Sequence, residues 1–279
     1  MTIALRVATC RELPEPDFDE APLAEALAAG GFAAQLVGWD DPAVDWDAPI
    51  PTILRSTWNY PLAIDAFVAW LERVAAAAPL VNPPDIVRGN LRKRYLLELA
   101  ARGVPVVPTT LVERGARCDL TAIAASMIVI KPEIGAGSIG TRRFAPTDPA
   151  AASHLAGLTA HGAALIQPYV ASVEGYGERS LVWIDGELSH AVRKTPRFSG
   201  DAESVAGPFP IADDERAIAH AALAPIADRI LYARVDVAPD AAGRAMVMEL
   251  ELIEPSLFFA KQPGSADRYV AALRRRLQN

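Results

Sequence analysis

Three acidic side chains near the end of the chain have the spacing of a divalent metal site. Glu249 and Glu251 fall on a predicted strand over residues 245–253, where alternating side chains place them on the same face. A hairpin is expected to bring Asp236, from the preceding strand 233–237, opposite them. Carboxylates this close repel one another unless cations neutralise them, and Mg²⁺ commonly joins carboxylates to nucleotide phosphates. Apolar residues alternate with the acids, which favours a Mg²⁺ or Mn²⁺ site over a solvated acidic face.

A glycine-rich loop follows a buried strand near the middle of the chain. It reads Gly135-Ala-Gly137-Ser138-Ile-Gly140, and Lys131 stands before it. The spacing matches a dinucleotide-binding fingerprint, but Pro residues exclude the following helix and the acidic residue for the ribose is absent. A Walker loop is excluded because its Lys-Ser/Thr pair is missing. We interpret the loop as a flap between two strands whose N–H groups approach phosphates; an ordinary flexible turn is the alternative.

Polar and aromatic side chains also follow the third predicted strand of the chain. Arg55 ends this strand, and Trp58, Asn59 and Tyr60 come directly after it. Open α/β sheets bind ligands at the carboxyl ends of their strands, so these residues are candidates for a small-molecule pocket. Arg55 is suited to hold a substrate carboxylate in a bidentate fork. The alternative is that the segment only caps the helix that follows.

The elements that position these residues follow from the apolar patterns. Strands and helices alternate in the first part of the chain, which predicts a small open α/β domain with a parallel sheet. Its strands are expected over residues 3–9, 32–39 and 51–55, and its helices over 18–29 and 62–77. Later helices are expected over 86–102, 119–125, 150–160, 213–230 and 266–277, and later strands over 127–130, 141–144, 164–170, 178–184, 188–193, 233–237 and 245–253.

Length and composition limit the classes of protein. A chain of 279 residues predicts about two domains. Its net charge of −7 argues against nucleic-acid binding, which needs a basic face. The two cysteines are too few for a disulfide framework, and we find neither a signal-peptide pattern nor an apolar run of about 18 residues. These features predict a cytoplasmic enzyme acting on a small molecule, with no membrane partner.

The order of these motifs resembles the ATP-grasp superfamily, in its glutathione-synthetase-like branch, from about residue 82 to the C-terminus. The resemblance implies an N-terminal α/β domain over 1–85 and an α+β ATP-grasp domain over 86–279, with a lid over about 106–168 and a C-terminal part over about 169–279. It implies ATP binding by Lys93, Lys131, Gly135, Gly137, Ser138, Gly140, Gln167, Tyr169, Val170 and Glu174. Gln167 departs from the glutamate that many members carry.

The same resemblance assigns the remaining chemistry. It implies that Arg179, Arg193 and Lys194 contact phosphates or the reacting carboxylate, and that Asp236, Glu249 and Glu251 bind the metal. Glu251 departs from the asparagine that is frequent in the family. The implied reaction forms ADP and an acyl phosphate, which a nitrogen nucleophile then attacks.

Two further segments resemble the cyclo-ligases that close the ring of D-cycloserine. They are Leu54-Arg55-Ser-Thr-Trp58-Asn59-Tyr60 and Glu251-Leu-Ile-Glu254-Pro-Ser256. This resemblance implies a small amino-acid-like substrate bound by Arg55, Trp58, Asn59, Tyr60, Glu254 and Ser256. A peptide-bond ligase of the glutathione-synthetase or glutamate-ligase type and a non-catalytic nucleotide-binding regulatory module remain alternatives, and a homo-oligomer stays open.

Overall fold

The computed structural model describes residues 2–195 and 204–278. Its first sheet consists of β1 (Ile3–Thr9), β2 (Phe32–Gly38), β3 (Thr52–Leu54) and β4 (Leu80–Val81). The strands lie in the order β2-β1-β3-β4, and all neighbours pair in parallel. The prediction of an open parallel α/β sheet is confirmed, whereas β4 was not predicted.

Two helices cover the opposite faces of this sheet. They are α1 (Glu20–Ala29) and α2 (Ile64–Ala77). Val7 shares a core cluster with Leu23 of α1, and the next residue, Ala8, shares another with Phe67 of α2. Adjacent strand residues point to opposite faces, so one short strand serves both layers.

The helix predicted over 86–102 is instead two helices, and this is a correction. They are α3 (Pro84–Asn90) and α4 (Tyr95–Ala101). The turn between them forms because the Lys93 N–H donates to the Glu133 carbonyl at 2.9 Å, while Arg92 and Arg94 bond to the Glu133 carboxylate. A distant acid therefore outweighs the local helical pattern.

The second sheet is antiparallel and carries the glycine loop. Its elements are β5 (Thr110–Val112), β6 (Ile128–Pro132), β7 (Arg142–Phe144), α5 (Pro149–Thr159) and β8 (Ala164–Pro168). The strand order is β5-β8-β6-β7. The glycine loop joins β6 to β7, so the predicted flap between two strands is confirmed. The helix predicted over 119–125 is only a 3₁₀ turn, Leu120–Ala122.

The third sheet has five antiparallel strands and carries the acidic cluster. Its elements, with the helices around it, are α6 (Ser172–Gly175), β9 (Glu178–Ile184), β10 (Glu187–Lys194), β11 (Val205–Phe209), α7 (Asp213–Leu223), β12 (Tyr232–Pro239), β13 (Ala245–Glu251) and α8 (Ser265–Gln278). The order is β11-β10-β9-β12-β13. The hairpin predicted to bring Asp236 opposite Glu249 is present, but the helix expected over 213–230 ends at Leu223.

One hydrophobic core joins the first sheet to the third. It contains Leu5 and Leu27 from the N-terminal part and Tyr232 and Tyr269 from the C-terminal part. The two parts of the chain therefore bury apolar surface against each other. The division at residue 85 separates two sheets, and the domain limits stay a prediction.

Candidate active site

Two lysines approach one another between the second and third sheets. Lys93, in the turn between α3 and α4, bonds through its ammonium to Glu249 on β13. Lys131, at the end of β6, is close enough to both residues that its pKa responds to their charges. Burial lowers the pKa of Lys131 and the negative charge of Glu249 raises it; burial has the larger effect, so the pKa is lowered overall. The structure therefore brings together both lysines that the sequence assigned to phosphate binding.

Glu133 fixes the relation between these lysines, and sequence reasoning missed it. Its side chain is 1% exposed and accepts hydrogen bonds from Arg92 and Arg94, on either side of Lys93. Its backbone holds the same turn through the Lys93 N–H. Because Glu133 follows Lys131 by two residues, one acid ties the two lysine-bearing segments together. Its only sequence signal was an acid shortly after the lysine strand.

The flap has the backbone of a loop that can cradle an anion. Gly137, Ser138 and Gly140 have φ values of 59°, 62° and 74°. Ser138 adopts a conformation that side chains rarely take, and Ile139 beside it is 60% exposed. A Cβ atom added to Gly135 would lie 3.3 Å from the Pro132 side chain, which is tighter than an ordinary van der Waals contact. The loop that follows Lys131 therefore combines positive-φ backbone with small residues at Gly137, Ser138 and Gly140.

Gln167 lies on the same face of the second sheet as Lys131. In the register of β6 and β8, Gln167 pairs with Val129 and Leu165 pairs with Lys131, so Val129 and Lys131 share that face. Its Nε2 donates to Thr109 Oγ1 at 2.9 Å, and that hydroxyl donates to the Val107 carbonyl at 2.8 Å. Because the Thr109 hydroxyl donates to Val107, it accepts from the amide nitrogen of Gln167. Within residues 2–195 and 204–278, no donor bonds to Gln167 Oε1.

The segment after β8 contains the residues assigned to adenine and ribose. The Tyr169 N–H donates to the Met127 carbonyl at 2.9 Å, and the Val170 carbonyl accepts from Val173 at the start of α6. The exposed carboxylate of Glu174 accepts from the Tyr169 hydroxyl and from Arg143, each at 2.7 Å. These two bonds lower the pKa of Glu174, so it is ionised at neutral pH. An ionised acid at this position suits hydroxyl donors of a ribose.

Each of the three predicted metal ligands is paired with a cationic side chain. Asp236 lies directly opposite Glu249, and Arg234 lies opposite Glu251. Arg234 donates to the two oxygens of Asp236, both at 2.9 Å, and to Glu251. Lys93 is bonded to Glu249. Arg234 is a second residue of the site that the sequence analysis did not assign, although its Arg-x-Asp spacing was visible.

These cations set the protonation of the acids. Burial raises the pKa of Asp236, but Arg234 and Lys194 together outweigh it and hold that pKa well below its usual range. Burial is likewise outweighed at Glu249, where Lys93 and Lys131 together lower the pKa to about 2. For Glu251, burial prevails over Arg234 and the pKa is raised. The acids therefore have cationic neighbours within the protein itself, which supply the neutralisation that a cluster of this kind requires.

The donor set is suited to Mg²⁺ in its chemistry but is not assembled as a metal site. Asp236 and Glu249 supply the carboxylate oxygens that Mg²⁺ prefers. Across residues 2–195 and 204–278, however, no three acidic, histidine or cysteine side chains converge closely enough to hold a metal. The bond from Lys93 to Glu249 occupies one of these ligands, and the metal assignment stays a prediction.

Lys194 shares the acidic face of the third sheet, whereas the two arginines assigned with it do not. Lys194 donates to Asp236 at 2.7 Å and forms an ion pair with Glu178 at 2.8 Å. Burial lowers the pKa of Lys194, but the negative charges of Asp236 and its acidic neighbours outweigh burial, so the pKa is raised overall. Lys194 is therefore ionised beside the acidic cluster.

Arg179 and Arg193 lie on the opposite face, which corrects the catalytic role expected for them. Arg179 bonds to Glu215 of α7 at 2.9 and 3.0 Å, and both guanidinium groups lie 5.3 Å from the ring of Phe209. The reason is the two-residue period of a strand. Since Lys194 faces the acids, its neighbour Arg193 must face away.

Two buried asparagines hold the end of β13. The Asn82 amide donates to the carbonyls of Tyr232 and Leu252, and the Asn90 amide donates to the Leu250 carbonyl at 2.9 Å. The Asn90 carbonyl accepts from the Leu252 N–H at 2.8 Å. These side chains take hydrogen-bonding positions that a neighbouring strand would otherwise fill. They fix the strand that carries Glu249 and Glu251.

Among the N-terminal residues that were expected to bind substrate, Trp58 contacts the segment that follows β13 in the third sheet. Its Nε1 donates to the Glu254 carbonyl at 3.2 Å. Asn59 is bonded to Trp39 and Asp40, within the N-terminal part. Tyr60 is 4% exposed and stacks on Phe67 of the local core. The bonds of Asn59 and the ring contact of Tyr60 therefore lie within the N-terminal part.

Arg55 is also buried, with 2% exposure, and its Nη2 bonds to Asp19 at 3.3 Å. The structure does not bring its guanidinium to the open cleft, where the sequence analysis expected it to hold a substrate carboxylate. Glu254 and Ser256 lie in the segment after β13. Burial and then the charge of Glu251 raise the pKa of Glu254 to about 8. The Ser256 carbonyl accepts from Arg234 at 3.3 Å.

The chain is similar to known proteins over most of its length. Residues 5–82 match the family described as "D-cycloserine synthetase DcsG, N-terminal domain". The cycloserine biosynthesis protein DcsG of Streptomyces lavendulae is 36% identical over an alignment 283 residues long, which covers 94% of this chain and 95% of the relative. The chain belongs to the D-cycloserine synthetase family. A crystal structure of D-cycloserine synthetase DcsG superposes with a TM-score of 0.90, covering 98% of this chain and 99% of that one at 36% identity.

The chain also superposes on the ATP-grasp ligase PsnB, with a TM-score of 0.67 at 19% identity over 99% of this chain and 100% of that one, so it has the ATP-grasp fold. D-alanine–D-alanine ligase from Bacillus anthracis shares that fold, with a TM-score of 0.65 at 16% identity over 98% of this chain and 95% of that one. The predicted ATP-grasp architecture is confirmed, and the chain is an ADP-forming carboxylate–amine ligase. No helix within residues 2–195 and 204–278 is long and apolar enough to cross a membrane.

Proposed function

We propose that this enzyme closes a ring within one small amino acid, as D-cycloserine synthetase does. The ring of D-cycloserine contains one amide-type bond, between its carbonyl carbon and a nitrogen bonded to oxygen. Opening that bond gives a D-amino acid with an aminooxy group, β-aminooxy-D-alanine. This compound carries both the carboxylate and the nitrogen nucleophile that a carboxylate–amine ligase joins.

The observation that carries the proposal is the convergence of cations and acids in one cleft. Lys93 and Lys131 lie beside Glu249 near the end of β6. Lys194 and Arg234 bond to Asp236, which lies opposite Glu249 in the third sheet. A site for ATP and a carboxylate needs such cations, because both ligands are anionic. We propose that the lysines Lys93 and Lys131 hold the β- and γ-phosphates.

The proposed reaction has two steps. A carboxylate oxygen of the substrate attacks the γ-phosphorus of ATP, and the bond to ADP breaks to leave an acyl phosphate. The aminooxy nitrogen then attacks the acyl carbon, phosphate departs with the bonding electrons, and the nitrogen loses one proton. Lys194 and Arg234 are placed to stabilise negative charge on the transferred group. Their positions near Asp236 keep them oriented.

Mg²⁺ would be held by Asp236, Glu249 and Glu251, and when bound it neutralises phosphate charge. The chain's own residues prepare its place, because Asn82 and Asn90 fix β13 and Lys93 balances Glu249 before nucleotide binds. Lys93 then exchanges its carboxylate partner for a phosphate. This exchange keeps the charge of the cleft balanced in both states.

Glu254 is proposed to bind the α-ammonium of the substrate. Its backbone carbonyl, in the segment after β13, accepts from Trp58 Nε1, and the residue is 9% exposed. An approaching ammonium favours the ionised form of a carboxyl group whose pKa burial has raised. Trp58 and Ser256 complete the proposed wall around an amino-acid-sized ligand.

The test is ADP release from Mg-ATP with β-aminooxy-D-alanine, using its L enantiomer and D-alanine with free hydroxylamine as comparisons. We expect release with the D compound and a product lighter by one water, measured by mass spectrometry. Release only with two separate amino acids would support a peptide-bond ligase instead. Binding of Mg-ATP without turnover of any compound would support a regulatory module and contradict the proposal.

A further inference from the structure

Asp19, at the start of α1, uses its side chain on a distant segment rather than on its own helix. It is the N-cap residue of α1, yet its carboxylate makes no capping bond there. Its oxygens instead accept from the backbone N–H groups of Leu257, Phe258 and Phe259, the last two at 3.0 and 2.8 Å. These contacts join positions about 240 residues apart.

The receiving segment has the backbone of an anion-binding turn. Phe258 lies in the left-handed region, with φ 52° and ψ 43°, and the N–H groups on both sides of it converge on Asp19. Successive N–H groups arranged in this way form a concave anion site, which Asp19 fills from within the protein. The left-handed conformation of a phenylalanine is unfavourable by itself, so the segment depends on this acceptor.

Arg55 provides the opposite charge. It bonds to Asp19 at 3.3 Å, both side chains are at most 3% exposed, and its guanidinium lies 5.9 Å from the ring of Phe259. Its Nε and Nη1 have no hydrogen-bond partner among the described residues. Asp19 is therefore the group that orients Arg55 as well as the distant turn. A neutral residue at position 19 would leave both without their acceptor.

The same segment carries the residues proposed to face the substrate. Three side chains hold it through hydrogen bonds to its backbone. Trp58 donates to the Glu254 carbonyl, Arg234 donates to the Ser256 carbonyl, and Asp19 accepts from the Phe259 N–H. The first and last attachments come from loops that follow β3 and β1. The N-terminal sheet thereby sets the position of a loop that belongs to the third sheet.

We propose that Asp19 is a positioning residue for the amino-acid half of the reaction, acting with Arg55 through the segment 254–259. It does not touch substrate; it holds Glu254 and Ser256 at the cleft. The inference rests on the proposed function for its kinetic consequence. Its structural part, the anchoring of residues 257–259, does not depend on the substrate.

The experiment compares Asp19→Asn with Glu20→Gln, which removes the same charge from the next, exposed residue. In Asp19→Asn we expect the KM for β-aminooxy-D-alanine to rise tenfold or more and the KM for ATP to change less than twofold. Glu20→Gln should change neither. Asp19→Glu, which keeps the charge, should recover part of the loss. A residue that only supports the fold would not separate the two KM values.

Amide hydrogen exchange provides a readout that does not require turnover. We expect faster exchange at Leu257, Phe258 and Phe259 in Asp19→Asn, with unchanged exchange in β12. If Asp19→Asn does not fold, Arg55→Lys serves as the second variant, with the same two readouts expected. Unchanged exchange at 257–259 in the folded variant, or equal rises in both KM values, would overturn the proposal. Wild-type enzyme without turnover of the amino acid would instead overturn the proposed substrate, while faster exchange would still support the anchor.

Discussion

The ammonium of Lys93 bonds to the carboxylate of Glu249, 156 residues further along the chain. The two side chains are 16% and 26% exposed, so the pair is largely screened from water. One partner is assigned to phosphate and the other to metal. Each neutralises the other in the nucleotide-free protein, and this pairing makes the cleft stable before its ligands arrive.

Glu249→Gln is expected to destabilise the nucleotide-free protein, because it leaves Lys93 without its charged partner. The loss should be roughly 1–3 kcal/mol, the scale of a charge-assisted bond. Since the folded pKa is lowered to about 2, the stabilisation is present above the usual carboxyl range and is lost as pH falls towards that value. Thermal melts across pH check this, with the exposed Glu72→Gln as control; a higher melting temperature in Glu249→Gln would contradict it.

Lys131→Ala is expected to weaken binding of Mg-ATP by about tenfold or more, since a cationic contact to phosphate is lost. Arg88→Ala removes a positive charge from an exposed position on α3 and should leave the affinity unchanged. Isothermal titration calorimetry measures both variants. Equal affinities for all three proteins would remove Lys131 from the nucleotide site.

Thr109→Val is expected to weaken selection of adenine. The variant lacks the hydroxyl that accepts from Gln167 Nε2, so the amide is no longer held with Oε1 outward. An acceptor at that position suits the adenine amino group. One misplaced hydrogen bond corresponds to about a two- to tenfold rise in the KM for ATP. Thr110→Val, at the neighbouring exposed position, is the control, and the ratio of kcat/KM for ATP and GTP is the measurement.

Arg179→Gln should affect stability far more than substrate binding. Its guanidinium bonds to the buried Glu215, and removing it leaves that carboxylate without its cation. Breaking a buried pair costs about 3–5 kcal/mol. Denaturant unfolding should show this loss while the KM for ATP stays within twofold. A large rise in KM in a stably folded variant would return Arg179 to the catalytic group.

Glu254→Gln should change how stability depends on pH. Burial and then Glu251 raise the pKa of Glu254 to about 8 in the folded protein. The folded state therefore holds this proton more tightly than the unfolded chain, and stability decreases as pH rises from the usual carboxyl range to about that value. The variant should match the wild type at about pH 5 and melt at a higher temperature near pH 8. Parallel melting curves would contradict the assignment.

Local patterns predicted the parts of the fold that depend on local chemistry. The alternation of acids and apolar residues on β13 and the flap before Arg142 follow from side-chain period and from glycine. The break between α3 and α4 was not predictable, because it depends on Glu133, about 40 residues away. The sequence could have predicted that Arg193 and Lys194 point to opposite faces of the sheet, because adjacent residues of a strand do so.

The core that joins Leu5 and Leu27 to Tyr232 and Tyr269 restricts how this enzyme can diversify. An exchange of the first 85 residues with those of another ligase would have to preserve this buried contact and the reach of Asp19 to Phe259. A foreign N-terminal part would disturb both the shared hydrophobic core and the contact between Asp19 and residues 257–259. New substrate preferences are therefore expected to arise through single changes in the loops after β1 and β3, and hybrid enzymes joined near residue 82 should express poorly.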